Sequence, residues 1–154
     1  MTARARFILR EASIGAVLNA LLSYGIFRLL FRGAPVIPLH GFGNFLFDFL
    51  PQGFMVALMS AFVPGLFAKR AVASGRFTGR VTAFAILPRA LPAKAVVLAL
   101  AATACAALPM AGLVALLWGE TLDWTSASAL KIAFGAGVSL AITPISLCSI
   151  IPAR

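Results

Sequence analysis

Very few residues in this chain could do chemistry. It has four carboxylates, one histidine and two cysteines in 154 residues. Glu11, Asp48, Glu120 and Asp123 are scattered, so no carboxylate pair is set up for acid–base work. His40 stands alone between apolar and glycine residues, and no second imidazole or acid cluster completes a metal-ligand spacing. Cys105 and Cys148 form no Cys-x-x-Cys motif and read as small residues buried at helix contacts. Nucleophile–base pairs, phosphate loops and dinucleotide fingerprints are missing from the sequence. The expectation is a non-enzymatic protein without catalytic residues, metal or cofactor.

The remaining candidates are polar residues set inside apolar stretches, where a charge is costly and needs a partner or a role. They are Asn19, Arg28, Asp48, Gln52 and Lys131. Arg28 lies about one helical turn from the end of the first stretch, and Asp48 about one turn into the second. If the two stretches form a hairpin, these residues share a depth, which predicts an Arg28–Asp48 ion pair. Gln52 follows Asp48 on the same helical face, and Lys131 enters the fourth stretch at a similar level. The cluster either locks the hairpin or lines the mouth of a solute or ion path. In the second case Asp48 is the intramembrane carboxylate that carries a proton or cation. Asn19, near the middle of the first stretch, is expected to hydrogen-bond across helices.

The elements that must position these residues are four apolar stretches, at about residues 12–31, 45–67, 95–118 and 129–151. Each has about the twenty residues needed to cross a hydrocarbon core. The chain is 62% hydrophobic and 11% charged, against about 25% charged for a soluble domain. The runs are continuous rather than alternating, which excludes a β-barrel. The fold class expected is all-α: a single integral membrane domain over residues 1–154 with four transmembrane helices. The first stretch is too long for a signal-peptide core and lacks a small-residue cleavage site, so it reads as a retained span.

The net charge of +9 suggests nucleic acid at first sight, but its distribution points to membrane orientation. Arg4, Arg6 and Arg10, then Lys69, Arg70, Arg76, Arg80, Arg89 and Lys94, then Arg154, all fall on one side of a four-span topology. The positive-inside rule places both termini in the cytoplasm of an inner-membrane, multi-pass protein. The basic loop 69–94 is expected to lie on anionic lipid headgroups, with no nucleic-acid partner. Within that loop, Phe77, Val81 and Phe84 at helical spacing fit either a short interfacial helix over residues 76–87 or a plain basic linker.

Finer features follow the same physics. The phenylalanines at 45, 47 and 49 suit a membrane interface or a lipid-facing stripe, and Trp118 and Trp124 suit an aromatic belt. The alanine-rich third stretch is expected in the middle of the bundle or at an oligomer contact, because small residues let backbones approach. Gly135 and Ser139 form a small-xxx-small pair. Pro51, Pro64, Pro109 and Pro144 each remove a helical hydrogen bond, and neighbouring helices can satisfy the freed carbonyl. Phe54, Ala61 and Pro64 match Phe134, Ala141 and Pro144 in spacing, which suggests two parallel hairpin repeats.

The Asn19-containing first stretch, followed by Phe54-Met55-Val56-Ala57-Leu58-Met59-Ser60-Ala61-Phe62-Val63-Pro64 and Lys69-Arg70, resembles small uncharacterised bacterial membrane proteins built from a two-helix hairpin unit, of the domain-of-unknown-function type. The resemblance covers mainly residues 1–71. The second half departs from it, since no basic pair directly follows Pro144. It implies a fold and no activity. It does not extend to small multidrug exporters, whose essential glutamate lies midway in the first span, whereas Glu11 lies at the edge of the first stretch here. The functional expectation is an accessory or structural membrane component, alone as a homo-oligomer or packed on a membrane partner protein. The alternative is a permease-like transporter or channel working as an oligomer.

Overall fold

In hydrocarbon a chain must satisfy its own amides, and an α-helix does so within one segment. The computed structural model, which describes residues 1–42, 44–79, 81, 84 and 86–152, shows four such helices long and apolar enough to cross a membrane. The first is α1 (Ala3–Leu30) and the second α2 (Phe45–Ala73). The third span consists of α3 (Leu91–Ala102) and α4 (Leu108–Trp118), joined by a π-helical turn, Thr103–Ala107. The fourth is α5 (Trp124–Cys148). The protein is therefore an all-α, multi-pass membrane protein. Phe7, near the start of α1, shares a buried cluster with Leu147 and Ile151 at the end of α5, so both ends of the described chain lie at one end of the bundle.

Several helix bounds exceed the apolar stretches. α1 begins at Ala3 because Thr2 caps it, its Oγ1 accepting from the Ala5 amide at 3.2 Å. The π turn marks where Pro109 would clash with a regular helix, and there the Leu108 amide donates to the Thr103 carbonyl, five residues back. The expected interfacial helix falls partly on residues outside those described. The described part, at 76–79, 81, 84, 86 and 87, consists of bends, turns and irregular backbone.

At the end opposite the termini, the two short loops are tied together. β1 (Val36–Pro38) pairs antiparallel with β2 (Thr121–Asp123), with Ile37 opposite Leu122. Ile37, Leu39 and Leu122 are buried beneath this ribbon. His40 donates from Nε2 to the Gly119 carbonyl at 2.9 Å, so this exposed residue helps hold the clasp.

The packing order differs from a simple pair of hairpins. α1 packs chiefly on α5, and the α3–α4 span packs chiefly on α2, while α2 and α5 pack on each other. The first helix of each hairpin thus leans on the second helix of the other, and the ribbon joins the equivalent loops. Half of the α5 span is buried, against 22% of the alanine-rich third span. The middle of the bundle therefore belongs to α5, not to the third span. Alanine permits close approach, but α5 carries glycine and hydroxyl residues on two opposed contacts.

Much of the α1 contact with α5 is small and polar, and its outward face is large and apolar. On α1, Ala12, Ala16, Asn19 and Ser23 face α5, while Val17, Leu18, Leu21 and Leu22 point outward. Association in lipid relies on close packing and hydrogen bonds, since tails are as apolar as leucine. The phenylalanines depart from the expected stripe. Phe45 and Phe49 are wholly buried and only Phe47 of the trio is exposed. Phe27, Phe31, Phe45, Phe49 and Phe134 build a chain of edge-on and tilted rings in the core. Cys105 is exposed and Cys148 half-buried, so Cys105 is not the buried contact residue its composition suggested.

Candidate functional site

Because α1 leans away from α2 onto α5, a cleft of about 300 Å³ opens between α1 and α2. Asn19 and Ser23 of α1 line it, with Asp48 and Gln52 of α2. Its mouth is apolar and exposed, formed by Leu22, Ile26, Met55 and Met59. Pro51 also lines the wall.

The expected Arg28–Asp48 pair is not formed. Arg28 is exposed, and Asp48 pairs with Lys131, whose Nζ lies 3.0 Å from Oδ2. The reason is the packing order: α1 is displaced from α2, whereas α5 crosses directly behind Asp48. Lys131 is almost wholly enclosed, with 1% of its side chain exposed against 17% for Asp48. Its ammonium also donates to the Phe45 carbonyl at 3.2 Å and sits 3.7 Å from the centre of the Phe49 ring. A cation desolvated against an aromatic face is well stabilised. So the carboxylate faces the cleft on one side and the enclosed lysine on the other.

Gln52 extends the cluster. Its Nε2 donates to Ser23 Oγ at 2.8 Å and to the Lys131 carbonyl at 3.1 Å. Its Oε1 is buried and accepts nothing among the described residues. Of the expected cluster, Asp48, Gln52 and Lys131 come together and Arg28 does not.

Deeper in the bundle, Asn19 joins three helices as its type suggested. Its Nδ2 donates among the Gly15 carbonyl at 2.9 Å, Ser60 Oγ at 3.2 Å and Ser139 Oγ at 3.2 Å. Ser60 Oγ donates to Ser139 Oγ at 3.0 Å. The Thr143 hydroxyl donates to the Ser60 carbonyl and the Ser146 hydroxyl to the Ala61 carbonyl. Lys94 donates from Nζ to Ser149 Oγ at 2.7 Å near the basic end. A polar seam therefore follows one face of α5, through Lys131, Ser139, Thr143 and Ser146. Ser23, Ser60, Ser139, Thr143 and Ser146 were not anticipated as site residues. Their signal in the sequence is the three- and four-residue spacing of Lys131, Gly135, Ser139, Thr143 and Ser146, the period of one helix face.

Chemically, the cleft offers one accessible oxygen acceptor, the Asp48 carboxylate, in an otherwise apolar slot. Such a slot suits a molecule with a hydrogen-bond-donating head and an apolar body. Among the described residues, no group of three or more His, Cys, Asp or Glu side chains could hold a metal ion. In comparisons with family models, with curated proteins and with solved structures, the chain matches none.

Proposed function

We propose that this chain is a small permease-like protein of the bacterial inner membrane, with both termini cytoplasmic. In this reading it admits an amphipathic solute bearing a donor head into the α1–α2 cleft from the outer leaflet. The observation that carries the proposal is the cleft itself, which reaches Asn19 and Asp48 from an apolar mouth. The Lys131–Asp48 pair supports it further. An incoming cationic or donor head competes with Lys131 for the carboxylate, which gives the pair two arrangements. The orientation rests on the basic end, where Arg4, Arg6, Arg10, Lys69, Arg70 and Arg76 gather.

The accessory or structural reading rests on a different observation, the hydrogen-bonded seam that fills the contact between α2 and α5. Uptake of octylguanidinium into proteoliposomes separates the two. This probe keeps its charge and its donors, so passive leakage is slow. The permease reading expects saturable uptake by the wild type, lost in Met55→Trp, which fills the cleft mouth without touching the seam. Uptake no different from empty vesicles overturns it and leaves the accessory reading. Asp48→Asn is the second arm, with folding followed by circular dichroism.

A further inference from the structure

The basic end carries a second, separate cavity. It has about 270 Å³ and is lined by Thr2, Ala3 and Arg4 at the start of α1, by Arg76, Phe77 and Thr78 after α2, and by Pro152 after α5. Three distant parts of the chain thus converge on two arginines. Arg4 Nε is buried and donates to nothing among the described residues. Arg4 as a whole is half-buried, and this one enclosed donor would be satisfied by an acceptor entering the cavity. The Arg76 guanidinium is held over two rings, 5.7 Å from the centres of Phe7 and Phe77, which are themselves packed edge-on at 5.5 Å. Stacking fixes the plane of the guanidinium while leaving its N–H edge free for an oxyanion.

The backbone adds to this. The first intrahelical bond of α1 runs from the Arg6 amide to the Thr2 carbonyl, and the Ala5 amide is taken by Thr2 Oγ1. The amides of Ala3 and Arg4 precede that first turn and point out of the helix end, where the helix dipole favours negative charge. No acidic residue occupies this first turn.

We propose that this pocket binds a phosphate group, held by Arg4 and Arg76 at the N-terminus of α1. The chemistry is shared by the headgroup of an anionic phospholipid and by free phosphate. A bound phosphate adds a polar tie between α1 and the segment after α2, beside the Phe7–Phe77 contact that already joins them. The site is independent of the α1–α2 cleft.

The test is native mass spectrometry of the detergent-solubilised full chain. It is offered dihexanoyl phosphatidylglycerol, inorganic phosphate, or dihexanoyl phosphatidylcholine as a zwitterionic control. The wild type is expected to retain phosphatidylglycerol or inorganic phosphate well above phosphatidylcholine. Retention of phosphatidylglycerol alone assigns a lipid, and retention of both assigns the phosphate group itself. Arg4→Gln lowers retention about tenfold, the loss of one charge-assisted contact. Arg76→Gln does the same, while Arg70→Gln, an exposed arginine outside the pocket, leaves it unchanged. Arg4 lies in the first turn of α1 and outside the buried core, so its variant tests the site without endangering the bundle. Equal loss in Arg70→Gln, or equal retention of phosphatidylcholine, overturns the proposal.

Discussion

The Thr143 hydroxyl donates at 3.2 Å to the Ser60 carbonyl, the carbonyl that Pro64 leaves without a helical partner. A proline has no amide to return to the residue four positions earlier, and lipid offers no water in its place. α5 therefore completes a hydrogen bond that α2 cannot make for itself. The contact couples the proline to the α2–α5 interface.

That coupling is measurable. Thr143→Val is expected to cost about 0.5–2 kcal/mol, because it strands a buried carbonyl. Thr143→Ser keeps the donor and costs less. Pro64→Ala returns an amide to the Ser60 carbonyl, so Thr143→Val is milder in a Pro64→Ala background. Unfolding of the four proteins in mixed detergent forms a double-mutant cycle. Equal cost of Thr143→Val in both backgrounds would sink the idea.

The Asp48–Lys131 pair is asymmetric, and the asymmetry sets the order of its variants. Asp48→Asn leaves an enclosed ammonium without its counter-charge and is expected to cost about 3–5 kcal/mol. Lys131→Met leaves a carboxylate that still meets the cleft and costs less. Removing both together costs less than Asp48→Asn alone, since no charge is then stranded. Chemical unfolding in detergent gives the ranking. A double variant as unstable as the two single losses combined contradicts it.

The four spans and the inward contact of Asn19 were legible because apolar length, and the cost of a lone amide in an apolar stretch, are local properties of sequence. The partner of Asp48 was not. Choosing Arg28 over Lys131 assumed that neighbours in sequence are neighbours in space, whereas α1 leaves α2 for α5. The ribbon of Val36–Pro38 with Thr121–Asp123 was hidden for a related reason, as strands this short carry no alternation to read. Pro109 signalled a disturbance in the third span but could not say that it would be resolved by a π turn. The burial of Phe45 and Phe49 followed from an enclosed lysine that needed aromatic faces, a relation that appears only once α5 is placed.

Asp123 caps α5, its Oδ1 accepting from the Ser126 amide at 2.9 Å. The Ser126 side chain, and then the Ser126 amide, hold its carboxyl below the ordinary carboxylate range. The folded state therefore resists protonation. The cap is fully effective above the ordinary carboxylate value and fades as pH falls through the lowered one. Hydrogen-exchange protection of the Ser126 amide, normalised for intrinsic rates, is expected to persist as pH falls to the ordinary carboxylate value and to drop only below it. Asp123→Asn keeps an acceptor but loses the charge, and its protection is flat over the same fall in pH. A wild-type profile as flat as that of Asp123→Asn would remove the charge from the account.

Gly135 and Gly137 lie two residues apart on α5 and face different surroundings. A methyl group at Gly135 would collide with Ser23 Oγ and stand 3.2 Å from the Asn19 carbonyl oxygen, on the backbone of α1. The serine can rotate, but the carbonyl cannot move without shifting the helix. Gly135→Ala is thus expected to push α1 off α5 and to cost about 1–3 kcal/mol, the range for overpacking. It also pulls Ser23 from Gln52 Nε2, so the cleft widens at its polar base. At Gly137 an added methyl meets nothing within 4 Å. Gly137→Ala is expected to stabilise the helix by up to about 1 kcal/mol, the ordinary gain of alanine over glycine. The measurement is paired thermal unfolding in one detergent, with cross-linking between cysteines placed on α1 and α5 as a distance check. Equal stability of the two variants would mean that α1 does not rest on Gly135, and the packing order that opens the cleft would have to be redrawn.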